Sequence, residues 1–284
     1  MKLPPIPAPV AGQLRAEAEG MAGAYADALR TYCPADSVIG VYAKGSAFRP
    51  WDSVIDYVPE VSDVDVHARL APLAVARLGE PRAAMELAEE ALTRFRRAFP
   101  DALHTPRPQF VVLDELERTP GYLASPANCV RTLFGPEYEA GTPADYARSR
   151  VADAERFAAD ARHVAGELAG RLIDRPGRLV WNVVSTLAWR VAPAAPRLLT
   201  LLGTNPYEAW SWNRTHLVEE LLRQGCDAVA QAYADFYLAG WDGFTSRFED
   251  ASAGRRAVLA TERLFAEGSK VLEVRGMKCR QGEV

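Results

Sequence analysis

Apolar residues recur at helical spacing near the start of the chain. Leu14, Met21, Ala22, Tyr25 and Leu29 predict an opening helix over 10–33, which stops where Cys33 precedes Pro34. A short β-branched run over 37–44 then reads as a strand that ends in the turn Gly45-Ser46. After a proline- and aromatic-bearing excursion over 48–61, residues 62–69 alternate polar and apolar with period two, the pattern of a strand with two unlike faces. An amphipathic helix is predicted over 81–99, and a third strand over 108–113, with Pro106 and Pro108 at its entrance.

Beyond Gly135-Pro136 the texture changes. Helical periodicity separated by Gly and Pro predicts helices over 143–173, 178–190, 195–202, 206–224, 227–238 and 253–267, with one further strand over 270–275. The expected fold class is therefore α+β: an N-terminal mixed sheet with flanking helices over 1–140, followed by a C-terminal helical bundle over 141–284.

Composition narrows the function classes. Of the 284 residues, 49% are hydrophobic and a quarter are charged, enough apolar material for a core. No window approaches the roughly 18 consecutive apolar residues of a membrane span, so a membrane partner is not expected. The proline-broken start MKLPPIPAPVAG lacks the apolar core of a secretory signal, and a cytoplasmic location follows as the default. The net charge of −4 and a pI near 5.7 argue against a surface that coats long nucleic acid. Cys33, Cys129, Cys226 and Cys279 are scattered, with no CxxC pair, and predict free thiols rather than a zinc site. There is no HExxH or Gly-x-Ser-x-Gly motif to support a zinc-hydrolase or serine-hydrolase reading.

The chemistry concentrates in two adjacent strands. Asp63 and Asp65 stand two apart, so their side chains leave one face with Cα atoms about 6.5–7 Å apart. Two carboxylates crowded in this way suit a hard cation such as magnesium, the ion that phosphoryl transfer requires. Gly45-Ser46, at the end of the preceding strand, offers close backbone approach, a hydroxyl and an N–H to a phosphate, and Lys44 adjoins that cradle.

In this order and context, Lys44-Gly45-Ser46 with Ser62-Asp63-Val64-Asp65-Val66 resembles the nucleotidyltransferase superfamily, which includes DNA polymerase beta, the aminoglycoside nucleotidyltransferases and the antitoxin-type nucleotidyltransferases. The resemblance covers roughly the first half of the chain, and Val130–Gly135 is similar to the hydrophobic-glycine segment that often follows the third catalytic strand. It implies that Gly45, Ser46 and Lys44 hold a nucleoside triphosphate and that Asp63 and Asp65 bind magnesium in a two-metal site. The implied reaction transfers a nucleoside monophosphate to a hydroxyl of an acceptor, expected to be a small molecule. The family also places a third carboxylate on a neighbouring strand. Here the matching position is Gln109, with Asp114 or Glu115 at the strand end as substitutes, and Asp114 is the expected base. If neither acid reaches the metals, the alternative is a nucleotide-binding regulatory module with impaired catalysis.

The sixteen-residue connection from Ser46 to Asp63, with Phe48, Trp51 and Tyr57, is long and is a candidate wall of an acceptor pocket. His67 continues the face of Asp63 and Asp65 and is expected to be a hydrogen-bonded structural histidine. Tyr207, Trp210 and Arg214 share a helical face by their spacing, expected to be core.

Overall fold

The computed structural model describes residues 1–119 and 121–276. It is a mixed α/β chain with one four-stranded sheet. The chain divides into two compact units. One comprises Ile6–Pro50 and Ser62–Gly141; the other comprises Met1–Pro5, Trp51–Val61 and the chain from Thr142 onward.

The first unit carries the sheet. Helix α1 (Ala8–Tyr32) buries Leu14, Ala18, Met21, Ala22, Tyr25 and Leu29 on one face, and Cys33 turns extended ahead of Pro34, ending it as the sequence predicts. Strands β1 (Val38–Lys44) and β2 (Asp63–Leu70) pair antiparallel. From β2 the chain crosses over through α2 (Pro72–Leu78) and α3 (Pro81–Ala98) to β3 (Arg107–Val112), which runs parallel to β2. A short helix, α4 (Leu113–Glu117), follows directly, and β4 (Val130–Phe134) returns to pair antiparallel with β1, giving the order β3-β2-β1-β4.

Alternation on β2 sorts the two faces. Val64, Val66, Ala68 and Leu70 are buried, on the face spanned by α1: Tyr25 stacks on Phe110 of β3 at 6.3 Å, and Arg30 lies 4.7 Å over the ring of Phe134 of β4. Buried Glu17 of α1 accepts from the Leu103 backbone N–H at 2.6 Å and meets His104 Nδ1 at 2.9 Å, which fixes the loop that leads into β3. Asp63, Asp65, His67 and Arg69 occupy the other face.

The second unit is helical from Thr142 to Val274: α5 (Pro143–Ala147), α6 (Arg150–Leu172), α7 (Val180–Leu201), α8 (Pro206–Ser211), α9 (Arg214–Arg223), α10 (Asp227–Thr245) and α11 (Ala251–Val274). Its core gathers Phe157, Tyr233, Phe236, Tyr237 and Phe265, all essentially without exposure. Among the described residues no helix is long and apolar enough to cross a membrane.

Several boundaries differ from the sequence reading. Residues 270–275 are not a strand: they continue α11 to Val274, because the helical periodicity that buries Leu264, Phe265 and Gly268 carries on to Leu272. The expected break between 190 and 195 is absent, and α7 runs through Pro193 and Pro196. Burial of Ala194, Ala195, Leu198 and Leu199 outweighs the backbone bonds the two prolines forgo. Conversely, 206–224 is two helices, because Asn213 caps α9 by accepting the His216 N–H at 2.9 Å. At 143–148 a capping box of Thr142 and Asp145 makes a separate short helix before α6. Cys279 and Lys278 lie outside the described residues.

The part of the excursion from Trp51 to Val61 belongs with the helices. Asp56 is 1% exposed and its carboxylate accepts four hydrogen bonds: from the backbone N–H groups of Asp52 (2.8 Å), Ser53 (3.0 Å) and Thr215 (2.9 Å), and from the Thr215 hydroxyl (2.7 Å). Arg214 donates to the carbonyls of Ile55 and Asp56 and lies 3.9 Å over the ring of Tyr237. Trp51 stacks on Tyr57 at 4.7 Å. Replacing a buried acceptor of this kind strands several donors at once, so Asp56→Ala is expected to lose about 3 kcal/mol of stability in urea unfolding, with Asp56→Asn losing less.

Candidate functional site

The site forms where β1 ends beside the start of β2. The register pairs Lys44 with Asp65 and Ala43 with Val66, so the chain leaving β1 turns immediately next to the first carboxylates of β2. Gly45 makes that turn with φ +88°, a conformation a side chain strains to adopt. A Cβ on Gly45 would also run into Oδ2 of Asp65. The glycine is therefore required twice, once by backbone shape and once by the carboxylate lying on its Cα.

Ser46 opens a single 3-10 turn, Ser46–Phe48, closed by the Phe48 N–H donating to the Gly45 carbonyl at 3.2 Å. Arg15 of α1 donates to the carbonyls of Ala47 (3.4 Å) and Arg49 (3.0 Å) and fixes this turn to the helix. Lys44 Nζ donates to Ser125 Oγ at 3.2 Å. The Ser125 segment is held in turn by the Ser125 N–H donating to the Tyr138 hydroxyl, and Tyr138 packs edge-on against Tyr42 of β1.

Asp63 and Asp65 leave the same face of β2, and Asp63 forms an ion pair with Nε of Arg107. Arg107 is directly opposite Asp63 in the parallel register with β3, and Gln109 is opposite Asp65. The neighbouring strand thus presents an arginine and an amide to the carboxylate pair. Burial pushes the Asp65 carboxyl up to about 7; Lys44 works against this, nearby Asp63 adds to it, and Arg49 and Arg107 lower it. Burial likewise holds Lys44 below the ordinary lysine range despite Asp65. His67, 3% exposed, is pushed down to about 3 by burial and by Lys44, so it is neutral. Its Nδ1 is buried with no hydrogen-bond partner, contrary to the hydrogen-bonded histidine the sequence predicts.

Of the expected site residues, Lys44, Gly45, Ser46, Asp63 and Asp65 are brought together. Asp114 is not. Its carboxylate accepts from Arg69 Nη1 and from the Leu70 backbone N–H, each at 3.2 Å. Leu70 stands five residues past Asp65, about 16 Å along the strand. The cause is the length of β3: it ends at Val112, Leu113 begins α4, and Asp114 emerges at the far end of the sheet, where Glu117 also pairs with Arg69 at 2.7 Å. Glu115 is exposed on the same short helix. Among the described residues no group of three or more His, Cys, Asp or Glu side chains gathers as a metal site.

Arg107 and Arg49 are the site residues the sequence reading passed over. A strand predicted to start at 108 leaves Arg107 outside it; the parallel register, which sets Arg107 beside Asp63, is a tertiary fact. Tyr207 and Trp210 lie half-buried on α8 and Arg214 lies buried at the start of α9, so the single helical face predicted from their spacing is divided at Asn213; Tyr207 packs edge-on against Tyr146, and Trp210 Nε1 donates to buried Asp153 at 3.4 Å.

Two expected outcomes follow from this geometry. Gly45→Ala combines a strained φ with a displaced carboxylate, and is expected to cost at least about 1 kcal/mol in thermal unfolding. For Asp65, a raised native pKa means that the native state holds its proton from the unfolded value near 4 up to about 7, so its stabilising contribution is lost as pH rises through that window. His67 acts in the opposite sense, since stability is lost as pH falls from its unfolded value near 6.5 toward 3. Asp65→Asn should therefore be more stable than wild type above pH 7 and should lose stability more steeply on acidification below pH 6.5, as read from melting temperatures across pH 4–8. No protein-family model matches this chain, and neither a curated protein nor a solved structure matches it.

Proposed function

We propose that the chain is a nucleotidyltransferase whose sheet unit binds a nucleoside triphosphate at the Gly45-Ser46 turn and transfers its nucleoside monophosphate to a hydroxyl of a small-molecule acceptor. The observation that carries the reading is the Asp65 carboxylate lying on the Cα of Gly45, with Asp63 one strand step away. This joins a tight backbone turn to a carboxylate pair, the combination that triphosphate chemistry uses.

The donor set fits one magnesium ion. Asp63 and Asp65 would hold it, with Asp63 keeping its ion pair with Arg107 and Asp65 giving up its proton. When bound, magnesium supplies neutralisation of the triphosphate oxygens and of the charge that develops in transfer. The Ser46 hydroxyl and the backbone N–H groups of the turn bind phosphate oxygens, and Lys44 adds positive charge beside them. The acceptor oxygen forms a bond to the α-phosphorus, the bond from that phosphorus to the bridging oxygen breaks, and pyrophosphate leaves. The acceptor proton passes to solvent water and not to Asp114, which is held by Arg69 and Leu70. A cytoplasmic location, where nucleoside triphosphates are supplied, accompanies this reading.

One observation favours a second reading. Gln109 stands opposite Asp65 where a third carboxylate would serve as base, and a chain without that base would be a nucleotide-binding regulatory module. Pyrophosphate release in the presence of an acceptor panel separates the two. Transfer is expected, with Asp63→Asn and Asp65→Asn each lowering it about 10³-fold at unchanged fold. Binding without release across the panel favours the regulatory module. A thermal-shift screen of the four ribonucleoside triphosphates with magnesium should show one that adds about 2.7 kcal/mol of stability at a hundredfold excess over its Kd, and no shift with any of them ends both readings.

A further inference from the structure

We infer that Arg107 takes the place of a second metal ion: its guanidinium holds Asp63 and presents a free donor to a phosphate oxygen, so that the site binds nucleotide with one divalent cation rather than two. The inference rests on the nucleoside-triphosphate reading above and departs from the two-metal site that the sequence resemblance implies.

Three observations carry it. The first is register. Parallel pairing of β2 with β3 sets Arg107 opposite Asp63, and the guanidinium closes on the carboxylate through Nε. The arginine thus neutralises one member of the carboxylate pair.

The second is an unmet donor. Arg107 Nη2 is buried and has no hydrogen-bond partner. A buried guanidinium N–H left without an acceptor is costly, and the planar fork of arginine matches the oxygens of a phosphate as it matches those of a carboxylate. With Nε engaged by Asp63, Nη2 remains available to a second anion.

The third is the donor count. Two metal ions in one site share carboxylates, and the strand that would supply another here offers the neutral amide of Gln109 opposite Asp65. Among the described residues no third acid joins Asp63 and Asp65. Lys44, Arg49 and Arg107 all act on Asp65, so three side-chain cations already share with one divalent ion the work of neutralising two carboxylates and a triphosphate. An arginine that is always protonated does part of the same work with no affinity threshold for metal.

The test uses the whole chain with α,β-methylene analogues of the four ribonucleoside triphosphates, which bind without turnover, and manganese as a spin-active cation. Counting bound manganese by loss of the free-ion resonance in a saturated wild-type complex is expected to give one ion per bound nucleotide; two ions overturn the inference. Calorimetry on Arg107→Gln is expected to show nucleotide affinity reduced about tenfold or more, both with magnesium and in chelator, and Arg107→Lys to recover part of it. Unchanged affinity in a folded Arg107→Gln overturns the inference, and the manganese count stands independently if that variant fails to fold. Failure of the wild-type chain to bind any of the analogues removes the nucleotide reading itself, a result distinct from binding with two metals.

Discussion

The antiparallel pairing of β1 with β2 puts Lys44 opposite Asp65 and leaves Gly45 as the first residue free of the ladder. Everything chemical about the sheet unit depends on that junction. The turn must bend at once with a positive φ, because the carboxylate of Asp65 already fills the space a side chain would need. A residue other than glycine would have to open the strand pair or push the carboxylate away. The same pairing brings a lysine within reach of a carboxylate that burial raises, so that even with the lysine beside it the group keeps its proton up to about pH 7. Shape and charge at this corner are thus one constraint.

Around that corner the face of the sheet is organised by charge. At one end of β2, Asp63 and Asp65 meet Arg107, Arg49 and Lys44. At the other, Arg69 gathers Asp114 and Glu117. Neutral His67 lies between them on the same strand face, too buried to accept a proton near pH 7. Leu70, whose backbone N–H holds Asp114, is five residues past Asp65, about 16 Å along the strand. A carboxylate in one is therefore no substitute for a carboxylate in the other.

The helical unit has its own centre of polar order. Asp56 is drawn from the connection between the Gly45 turn and β2, yet its acceptors are filled by the start of α9 and by its own segment. Thr215 and Arg214 do the reciprocal work, the arginine taking carbonyls of the segment while its face rests on Tyr237. A loop that would otherwise expose unpaired backbone groups is in this way satisfied by side chains of a helix N-terminus. The aromatic residues Trp51 and Tyr57, which made the connection look like a pocket wall, stack on each other within the same unit.

The division between what the chain encodes locally and what the fold settles follows from the range of the interactions. Period-two alternation over 62–69 and the Gly-Ser step after a β-branched run are local, and they were enough to place Asp63, Asp65, Gly45 and Ser46 on adjoining elements, because adjacent antiparallel strands bring the end of one to the start of the next. Helix periodicity was equally legible wherever one apolar face persisted, and it failed where capping at Asn213 and Thr142 or burial across Pro193 and Pro196 overrode punctuation by glycine and proline. Register between β2 and β3 is not local. A shift of a single residue there exchanges which side chain stands beside Asp63, and only packing of Phe110 under Tyr25 and the early start of α4 decide that it is Arg107, that Gln109 meets Asp65, and that Asp114 is carried away to Arg69. The sequence by itself determined that a turn and two carboxylates would meet; the tertiary structure alone decided which charges surround them, because parallel strands are aligned by the core they share rather than by the chain that connects them.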